Sequence, residues 1–435
     1  MRELFLTFLS LCRRVVKTDI VRVFSFTAMS TLVKMLTGLV SVKVVAAVIG
    51  PVGVALVGQL HNFATIAMSV SSGGINNGIT KYIAEYRETP EAVRSYLSTA
   101  LRITSFCSFI VGILMIAFHS FLSKYIMLSP NYGYVFIIFG FTILLYALNM
   151  MFISIINGFK EFKRYVRINI ANSIVGLVFT LTFVFSWGLK GALASAVTYQ
   201  SVMLFVTLWM IRRLSWFRWS TFKEKYDHAV ASKYFRYTLM TLTTAATVPV
   251  SQMLLRGYVI AQISPIEAGW WEAMNRISNM YLMIITSSFG VYYLPRLSEL
   301  TDKTALRHEI YRAYKVIVPM LLVGFSIIYL IRGFVIRFLY TPDFLPVENL
   351  FIWQLVGDFF KISSWLLSFL MVAKSMIKAF VSTEILFALS FVGLGLLFIE
   401  WNGVVGITQA SLCNHVMYFF CMIILIRKTV FSKMP

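Results

Sequence analysis

The stretch STLVKMLTGLVSVKVVAAVIGPVGVALVGQL, residues 30–60, decides the fold. An apolar run reaches Ile49, the sequence GPVG at 50–53 provides a turn, and a second apolar run follows it. A helix rises about 1.5 Å per residue, so about 20 apolar residues cross the hydrocarbon core of a bilayer. The stretch therefore predicts two transmembrane helices joined by a tight turn.

The composition of the whole chain agrees with this prediction. Of the 435 residues, 59% are hydrophobic and only 13% are charged, and the mean hydropathy is +0.79. A soluble domain has about 25% charged residues, so this chain has too few polar side chains to coat a water-soluble core. The apolar runs are continuous and do not alternate with polar residues, which favours membrane helices over a β-barrel.

Apolar runs of this kind recur along the chain and predict twelve spans in two groups of six. The spans are 20–49, 52–82, 93–118, 132–158, 168–187, 191–211, 237–262, 268–295, 315–340, 348–373, 379–399 and 404–426. We predict an all-α polytopic membrane protein with a basic amphipathic N-terminal segment, a six-helix lobe, a basic cytoplasmic linker, a second six-helix lobe and a cytoplasmic tail. The bounds of these five parts are 1–19, 20–211, 212–236, 237–426 and 427–435.

The distribution of Lys and Arg predicts the orientation. With the N-terminus inside, the cytoplasmic segments hold 29 of these residues, and the outward loops hold only Lys124 and Lys190. Cytoplasmic loops of membrane proteins carry an excess of basic residues, so both termini are expected in the cytoplasm. The net charge of +21 then reflects topology, and no nucleic-acid partner is expected.

A faint internal repeat relates the two groups of spans. The turn GPVGVAL at 50–56 leads to SSGGINNG at 71–78, and SPIEAGW at 264–270 leads to SSFGVYYLP at 287–295. Two similar six-helix halves are typical of transporters, whose substrate site lies between the halves. Chance recurrence of small residues is the alternative explanation.

Charged residues inside the spans are the candidates for function, because each costs about 2.5–3.5 kcal/mol at the centre of the bilayer. The bases are Lys34, Lys43, Arg102, Arg256, Arg276, Arg332, Arg337 and Lys361, and the acids are Glu272, Asp358 and Glu384. Because the bases outnumber the acids, they cannot all be paired internally. The surplus predicts an anionic ligand or a water-filled cavity.

Lys34 and Arg256 are the strongest candidates for binding an anion. Both lie well inside their spans without an acid nearby in the sequence, and their spans are equivalent in the repeat. We expect them to face each other across the seam between the halves and to contact a phosphate group. Lys43, Arg102 and Arg337 lie closer to the membrane surfaces, where snorkelling explains them.

Two acids have a basic partner at helical spacing. Glu272 precedes Arg276 by four residues, and Asp358 precedes Lys361 by three. Each pair is either a structural ion pair or part of a functional site, in which the base binds substrate and the acid exchanges an ion.

Polar and helix-breaking residues give weaker signals. His61 and Asn62 could contact a sugar or phosphate, although packing is the commoner role for such a pair. Gly73 and Gly74 interrupt the second span and Pro249 interrupts the seventh. These three residues predict bends at which a cavity opens and closes, and close helix packing is the alternative for the glycines.

Motifs for other chemistry are missing from the sequence. The four cysteines lack CxxC spacing and predict neither a disulfide nor a metal site. No GxxxxGK[ST], HExxH or GxSxG sequence occurs. We expect no cofactor, no metal and no enzymatic activity.

Four stretches carry a resemblance to a known family: residues 30–60, GITKYIAEY at 78–86, SSFGVYYLPRLSELT at 287–301 and WQLVGDFFK at 353–361. They resemble Wzx-type flippases, the O-antigen and enterobacterial common antigen translocases of Gram-negative inner membranes. These flippases belong to the multidrug/oligosaccharidyl-lipid/polysaccharide exporter superfamily. The resemblance implies a V-shaped bundle of two six-helix lobes around a central cationic cavity, lined by spans one, two, seven and eight.

The function that the resemblance implies is transport by alternating access. The substrate would be an undecaprenyl-pyrophosphate-linked oligosaccharide moved from the cytoplasmic to the periplasmic leaflet, with membrane lipid and other polysaccharide assembly proteins as candidate partners. The family pattern matches at Lys34, Lys43, Arg256, Asp358 and Lys361. Two alternatives stay open, namely a drug/cation antiporter of the same superfamily and a membrane glycan polymerase or ligase. The first would need surplus acids, and the second would need a large outer loop.

Overall fold

The computed structural model describes residues 19–214, 216–289, 293–300, 302–374 and 376–430. Nearly all of the predicted amphipathic segment, residues 1–18, and the last five residues of the tail lie outside the described residues. Within these ranges the chain is helical and contains no β-strand.

Thirteen α-helices make up most of the described chain. They are α1 Asp19–Ser71, α2 Asn76–Tyr86, α3 Pro90–Ala117, α4 His119–Ile126, α5 Gly133–Gly158, α6 Phe162–Ile211, α7 His228–Gln262, α8 Pro265–Ser288, α9 Leu294–Glu299, α10 Lys303–Leu330, α11 Arg332–Leu339, α12 Phe351–Ala373 and α13 Ile377–Val430. Short 3₁₀ helices occupy Pro130–Tyr132, Trp219–Phe222 and Pro342–Leu350.

Three of the long helices each contain two membrane spans. Their bends lie at Gly50, Gly188 and Gly403, whose φ angles of 63°, 54° and 58° are open to glycine at little cost. Seven stretches of the described chain are long and apolar enough to cross a membrane, and three of them contain one of these bends. The three bent stretches cross twice and the other four cross once, which gives ten crossings. The more polar helices α7 and α8 bring the number to the predicted twelve.

The second arm of α1 ends where the sequence predicts an interruption. Gly73 and Gly74 both have φ of 65°, and α2 begins two residues later at Asn76. Pro249 lies inside α7, which runs as one helix from His228 to Gln262, and its predicted bend stays a prediction. Pro249 removes one backbone donor from the helix, but the turns on either side keep it continuous.

Part of the predicted linker is helical. Helix α7 begins at His228, and the Asp227 carboxylate caps it by accepting hydrogen bonds from the N–H groups of Ala229 and Val230. A side-chain acceptor at this position satisfies donors that have no partner within the helix.

The two lobes meet at their predicted outer ends, where the bend of α1 packs against the start of α8. A Cβ atom built on Gly269 would lie 2.1 Å from the carbonyl oxygen of Pro51. Only glycine allows the two backbones to approach this closely. The contact fixes the second arm of α1 beside α7 and α8, and this arrangement positions the site.

Candidate functional site

A fully buried charge lies between α7 and α8. Arg256 is 0% exposed, and its Nη2 lies 2.5 Å from Oε2 of Glu272. Residues 263–264 join the two helices, which run antiparallel to each other. Arg256 lies six residues before the end of α7 and Glu272 lies seven residues after the start of α8, so the two side chains are at the same depth. An uncompensated charge at this depth would be costly, and the ion pair removes that cost.

The carboxylate of Glu272 also holds a second base. Arg276 Nε donates to Glu272 Oε1 over 2.9 Å, one helical turn along α8. The predicted i,i+4 ion pair is therefore present, within a triad that has two guanidinium groups for one carboxylate. The Arg276 side chain is 20% exposed, whereas Arg256 is fully enclosed. One carboxylate neutralises only one of the two guanidinium groups, so the triad keeps a net positive charge. A ligand can reach this charge at the partly exposed Arg276.

Gln59 of the second arm of α1 connects the N-terminal lobe to this triad. Its Oε1 accepts from Arg256 Nη1 at 3.4 Å, and its Nε2 donates to the carbonyl oxygen of Met253 at 3.1 Å. The neighbouring Gly58 leaves room for the carboxyl group of Glu272, since a Cβ there would lie 2.4 Å from Glu272 Cδ. The triad is thus part of the contact between the lobes.

Lys34 and His61 lie in the same electrostatic neighbourhood. The charges of Lys34, Arg256, Arg276 and Glu272 all act on the His61 imidazole. Both Lys34 and His61 are exposed, although each lies within a predicted span and near the buried triad. Exposed polar side chains inside predicted spans are what a water-filled cavity would require.

The predicted role of Arg256 needs correction. We expected it to face Lys34 and bind an anion because no acid lies near it in the sequence. Its partner Glu272 is sixteen residues away and reaches it across the helix pair, and Arg256 is fully buried in this structure. Arg276, whose side chain is 20% exposed, is the base of the triad that a ligand can reach in this structure.

The predicted ion pair between Asp358 and Lys361 is absent from the described part of the chain. Asp358 is fully buried, and its Oδ2 accepts hydrogen bonds from Ser278, Tyr281 and Gln354. The Lys361 ammonium instead lies 5.4 Å from the centre of the Trp365 ring. Three neutral donors hold the carboxylate, and the lysine side chain extends along its own helix to an aromatic face.

Asn62 lies on a different face of α1 from His61. It is buried, and its Nδ2 has no hydrogen-bond partner among the described residues. Consecutive residues of a helix point about 100° apart, so the exposed His61 and the buried Asn62 cannot line the same surface.

Several residues of the site had no signal in the sequence. They are Gln59, Trp271, Ser278, Tyr281 and Gln354. Ser278 and Tyr281 donate hydrogen bonds to the carboxylate of Asp358, about eighty positions further along the chain. Helical periodicity cannot reveal a contact over this separation. Gln59 lies two residues from His61 and was the easiest of them to find.

The arrangement is suited to binding an anion without changing it. Lys34 supplies a mobile ammonium, Arg276 supplies donors that Glu272 holds in position, and the site combines these with a net positive charge. No group of three or more His, Cys, Asp or Glu side chains that could hold a metal ion occurs in the described ranges.

Comparison with known proteins places this arrangement among polysaccharide and lipid transporters. Two curated relatives, the lipid III flippases of Escherichia coli (strain K12) and Shigella flexneri, are each 28% identical to the chain over 398 residues. The alignment covers 91% of this chain and 95% of each relative. These relatives agree with the resemblance seen in the sequence.

Solved structures share the fold at low sequence identity. An inward-facing multidrug transporter of the MATE family has a TM-score of 0.77 at 13% identity and covers 95% of this chain and 98% of its own. An outward-facing structure of a MATE family transporter has a TM-score of 0.72 at 14% identity and covers 94% of this chain and 95% of its own. The lipid II flippase MurJ, in an inward closed conformation, has a TM-score of 0.71 at 14% identity, covering 94% of this chain and 87% of its own. The sequence profile described as "Polysaccharide biosynthesis protein" matches residues 20–301, and the chain belongs to that family.

Proposed function

We propose that the protein is a flippase that carries an undecaprenyl-pyrophosphate-linked oligosaccharide from the cytoplasmic to the periplasmic leaflet of a bacterial inner membrane. The observation that carries the proposal is the triad of one acid and two bases beside the exposed Lys34. It leaves positive charge at the seam between two lobes, where a transporter of this architecture binds its substrate. The similarity to two lipid III flippases supports an oligosaccharide-bearing lipid as that substrate.

The sign of the charge favours this function over drug/cation antiport. A cationic drug approaching Arg276 and Lys34 would meet like charges, whereas a diphosphate would replace the water around them with charge-assisted hydrogen bonds. Bidentate contact to Arg276 and a flexible contact to Lys34 would accommodate a diphosphate that turns as it crosses.

The proposed orientation has both termini in the cytoplasm, and it gives the transport a driving force. A dianionic diphosphate moves from a negative interior to the outside. The membrane potential favours this movement by about 4.6 kcal/mol per 100 mV, twice the value of about 2.3 kcal/mol for a single charge. The cycle needs no bond to be formed or broken, and the two lobes would rock about the seam while the polyprenyl tail stays in lipid.

Complementation tests the proposal directly. The gene is expressed in strains that lack their own lipid-linked oligosaccharide flippase and differ in the glycan that they assemble. Restored surface glycan in at least one strain is expected, and the strain that responds identifies the preferred glycan. Failure in every strain, with the protein present in the membrane at normal levels, would overturn the proposal.

A further inference from the structure

A second polar space lies inside the C-terminal lobe, on the other side of Trp271 from the ion triad. It is a cavity of about 160 Å³ between α7, α8, α12 and α13. Trp271 contributes to its wall and also lies against the Arg256 guanidinium, whose central carbon is 5.2 Å from the ring centre. The cavity and the ion triad therefore share a wall.

Buried polar atoms without partners point to a ligand in this cavity. Asn414 is 6% exposed and lines the cavity, and its Oδ1 accepts no hydrogen bond from any described residue. Two further atoms that line the cavity also lack a partner among the described residues: Nδ2 of Asn275 donates no hydrogen bond, and Oγ1 of Thr247 makes none. An unmade hydrogen bond of a buried group costs about 1–3 kcal/mol, so a donor, an acceptor and a hydroxyl in one cavity together favour a polar occupant.

The rest of the lining decides which class of molecule fits. Two charged side chains of opposite sign, Lys361 and Glu384, line the space. The rest of this lining consists of aromatic rings and side-chain amides, namely Trp271, Trp365, Phe387, Phe391, Gln252, Asn275, Asn279, Gln354 and Asn414. A free cation would face the Lys361 ammonium and a bare phosphate would face the Glu384 carboxylate. A sugar ring offers apolar C–H faces to aromatic rings and hydroxyl or amide groups to Asn and Gln side chains.

The size of the cavity agrees with this class. One water molecule needs about 10–15 Å³ of space measured in this way, so the cavity holds on the order of ten waters and has room for one sugar ring.

We propose that this cavity binds one sugar residue of the transported glycan, next to the diphosphate held by Lys34 and Arg276. The proposal rests on the proposed function. It assigns the recognition of sugar to Asn275, Asn414 and the aromatic wall, and it separates that task from recognition of the charged lipid head.

The test compares two probes on the full-length protein in detergent. One is undecaprenyl diphosphate without sugar, and the other is undecaprenyl diphosphate carrying one N-acetylglucosamine. We expect the wild type to bind the sugar-bearing probe more tightly. Asn414→Leu should weaken binding of that probe about tenfold, the loss expected for one hydrogen bond, and should leave binding of the sugar-free probe within about twofold. Asn275→Leu should act in the same way and covers the case in which the first variant does not fold.

The controls separate this inference from the proposed function. Asn172→Leu, in the N-terminal lobe, removes a buried amide whose Oδ1 also lacks a partner among the described residues, and it should change neither affinity. Arg276→Gln should weaken the binding of both probes by the same factor. Equal binding of the two probes by the wild type, or equal weakening of both by Asn414→Leu, would overturn the sugar site while leaving the flippase in place. Binding of neither probe would overturn both proposals.

Discussion

Glu272 and Arg256 form a buried ion pair with Oε2 and Nη2 separated by 2.5 Å, at the depth where the N-terminal lobe packs against α7 and α8. The pair neutralises Arg256, and in the proposed function Arg276 and Lys34 are the bases that bind the substrate. Charge at the seam therefore has two roles, one in holding the helices together and one in binding.

Neutralising Glu272 should destabilise the protein. In Glu272→Gln, two guanidinium groups remain together in a largely buried place without a counter-charge, and a broken buried ion pair costs about 3–5 kcal/mol. Thermal unfolding of the purified protein in detergent measures the loss. The matched control is Glu299→Gln, whose partner Arg296 lies 3.6 Å away in an exposed pair that contributes about 0–1 kcal/mol. Equal unfolding temperatures for the two variants would contradict the structural role.

Removing positive charge beside His61 should slow export. Lys34→Gln and Arg276→Gln should each reduce glycan export about tenfold, because each removes a charge-assisted hydrogen bond to the diphosphate. Lys34→Arg should keep part of the activity, since the charge remains. Lys43→Gln is the control on the same helix, where the ammonium lies 5.1 Å from the centre of the Phe338 ring. Surface glycan per unit of membrane-inserted protein is the measurement, and an effect of Lys43→Gln as large as that of Lys34→Gln would count against the site.

The sequence predicted most of the fold and part of the site, for physical reasons that differ between residues. Twelve spans follow from apolar length, and the bend at Gly50 follows from a turn between two such runs. The Glu272–Arg276 pair follows from helical spacing. The partner of Arg256 could not be predicted, because it depends on how two antiparallel helices align. Spacing misled at Asp358, where donors from α8 and from its own helix hold the carboxylate in place of Lys361.

Exchanging Asp358 and Lys361 should abolish folding. The exchange would place an ammonium among Ser278, Tyr281 and Gln354, which now donate hydrogen bonds to a buried carboxylate. Asp358→Asn should be milder than Asp358→Leu, because the amide oxygen still accepts hydrogen bonds. Membrane-inserted protein level and thermal unfolding report the order. An exchanged variant with normal stability would restore the ion-pair interpretation.

Stability should depend on pH through the cap of α7. Backbone N–H groups of Val230 and Ala229 and the Ser95 hydroxyl lower the pKa of Asp227, which lies outside the predicted spans. A lowered folded-state pKa gives stability that is present above the unfolded pKa of about 4 and is lost as pH falls through the folded value. Asp227→Asn keeps a capping oxygen that does not titrate. The unfolding temperature of the wild type should therefore fall more than that of this variant between about pH 5 and pH 3. An equal fall of the unfolding temperature in both proteins would contradict the prediction.

The proposed orientation can be tested with single cysteines in a cysteine-free background. Asn402→Cys lies at the bend of α13 on the predicted outer side, and Glu224→Cys lies in the linker. Both positions are exposed. A membrane-impermeant thiol reagent added to intact cells should label the first and not the second, and permeabilised cells should show labelling of both. The reverse pattern would invert the topology.

The most direct test of the account is transport by the purified protein in liposomes. A fluorescent undecaprenyl-diphosphate-linked oligosaccharide is placed in the bilayer, and an impermeant quencher reports how much of it reaches the outer leaflet. The account predicts rapid movement with the wild type and at least a tenfold slower rate with Lys34→Gln/Arg276→Gln, while Lys43→Gln matches the wild type. Equal rates for the wild type and the double variant, or no movement with the wild type, would contradict the claim that these two bases carry a lipid-linked glycan across the membrane.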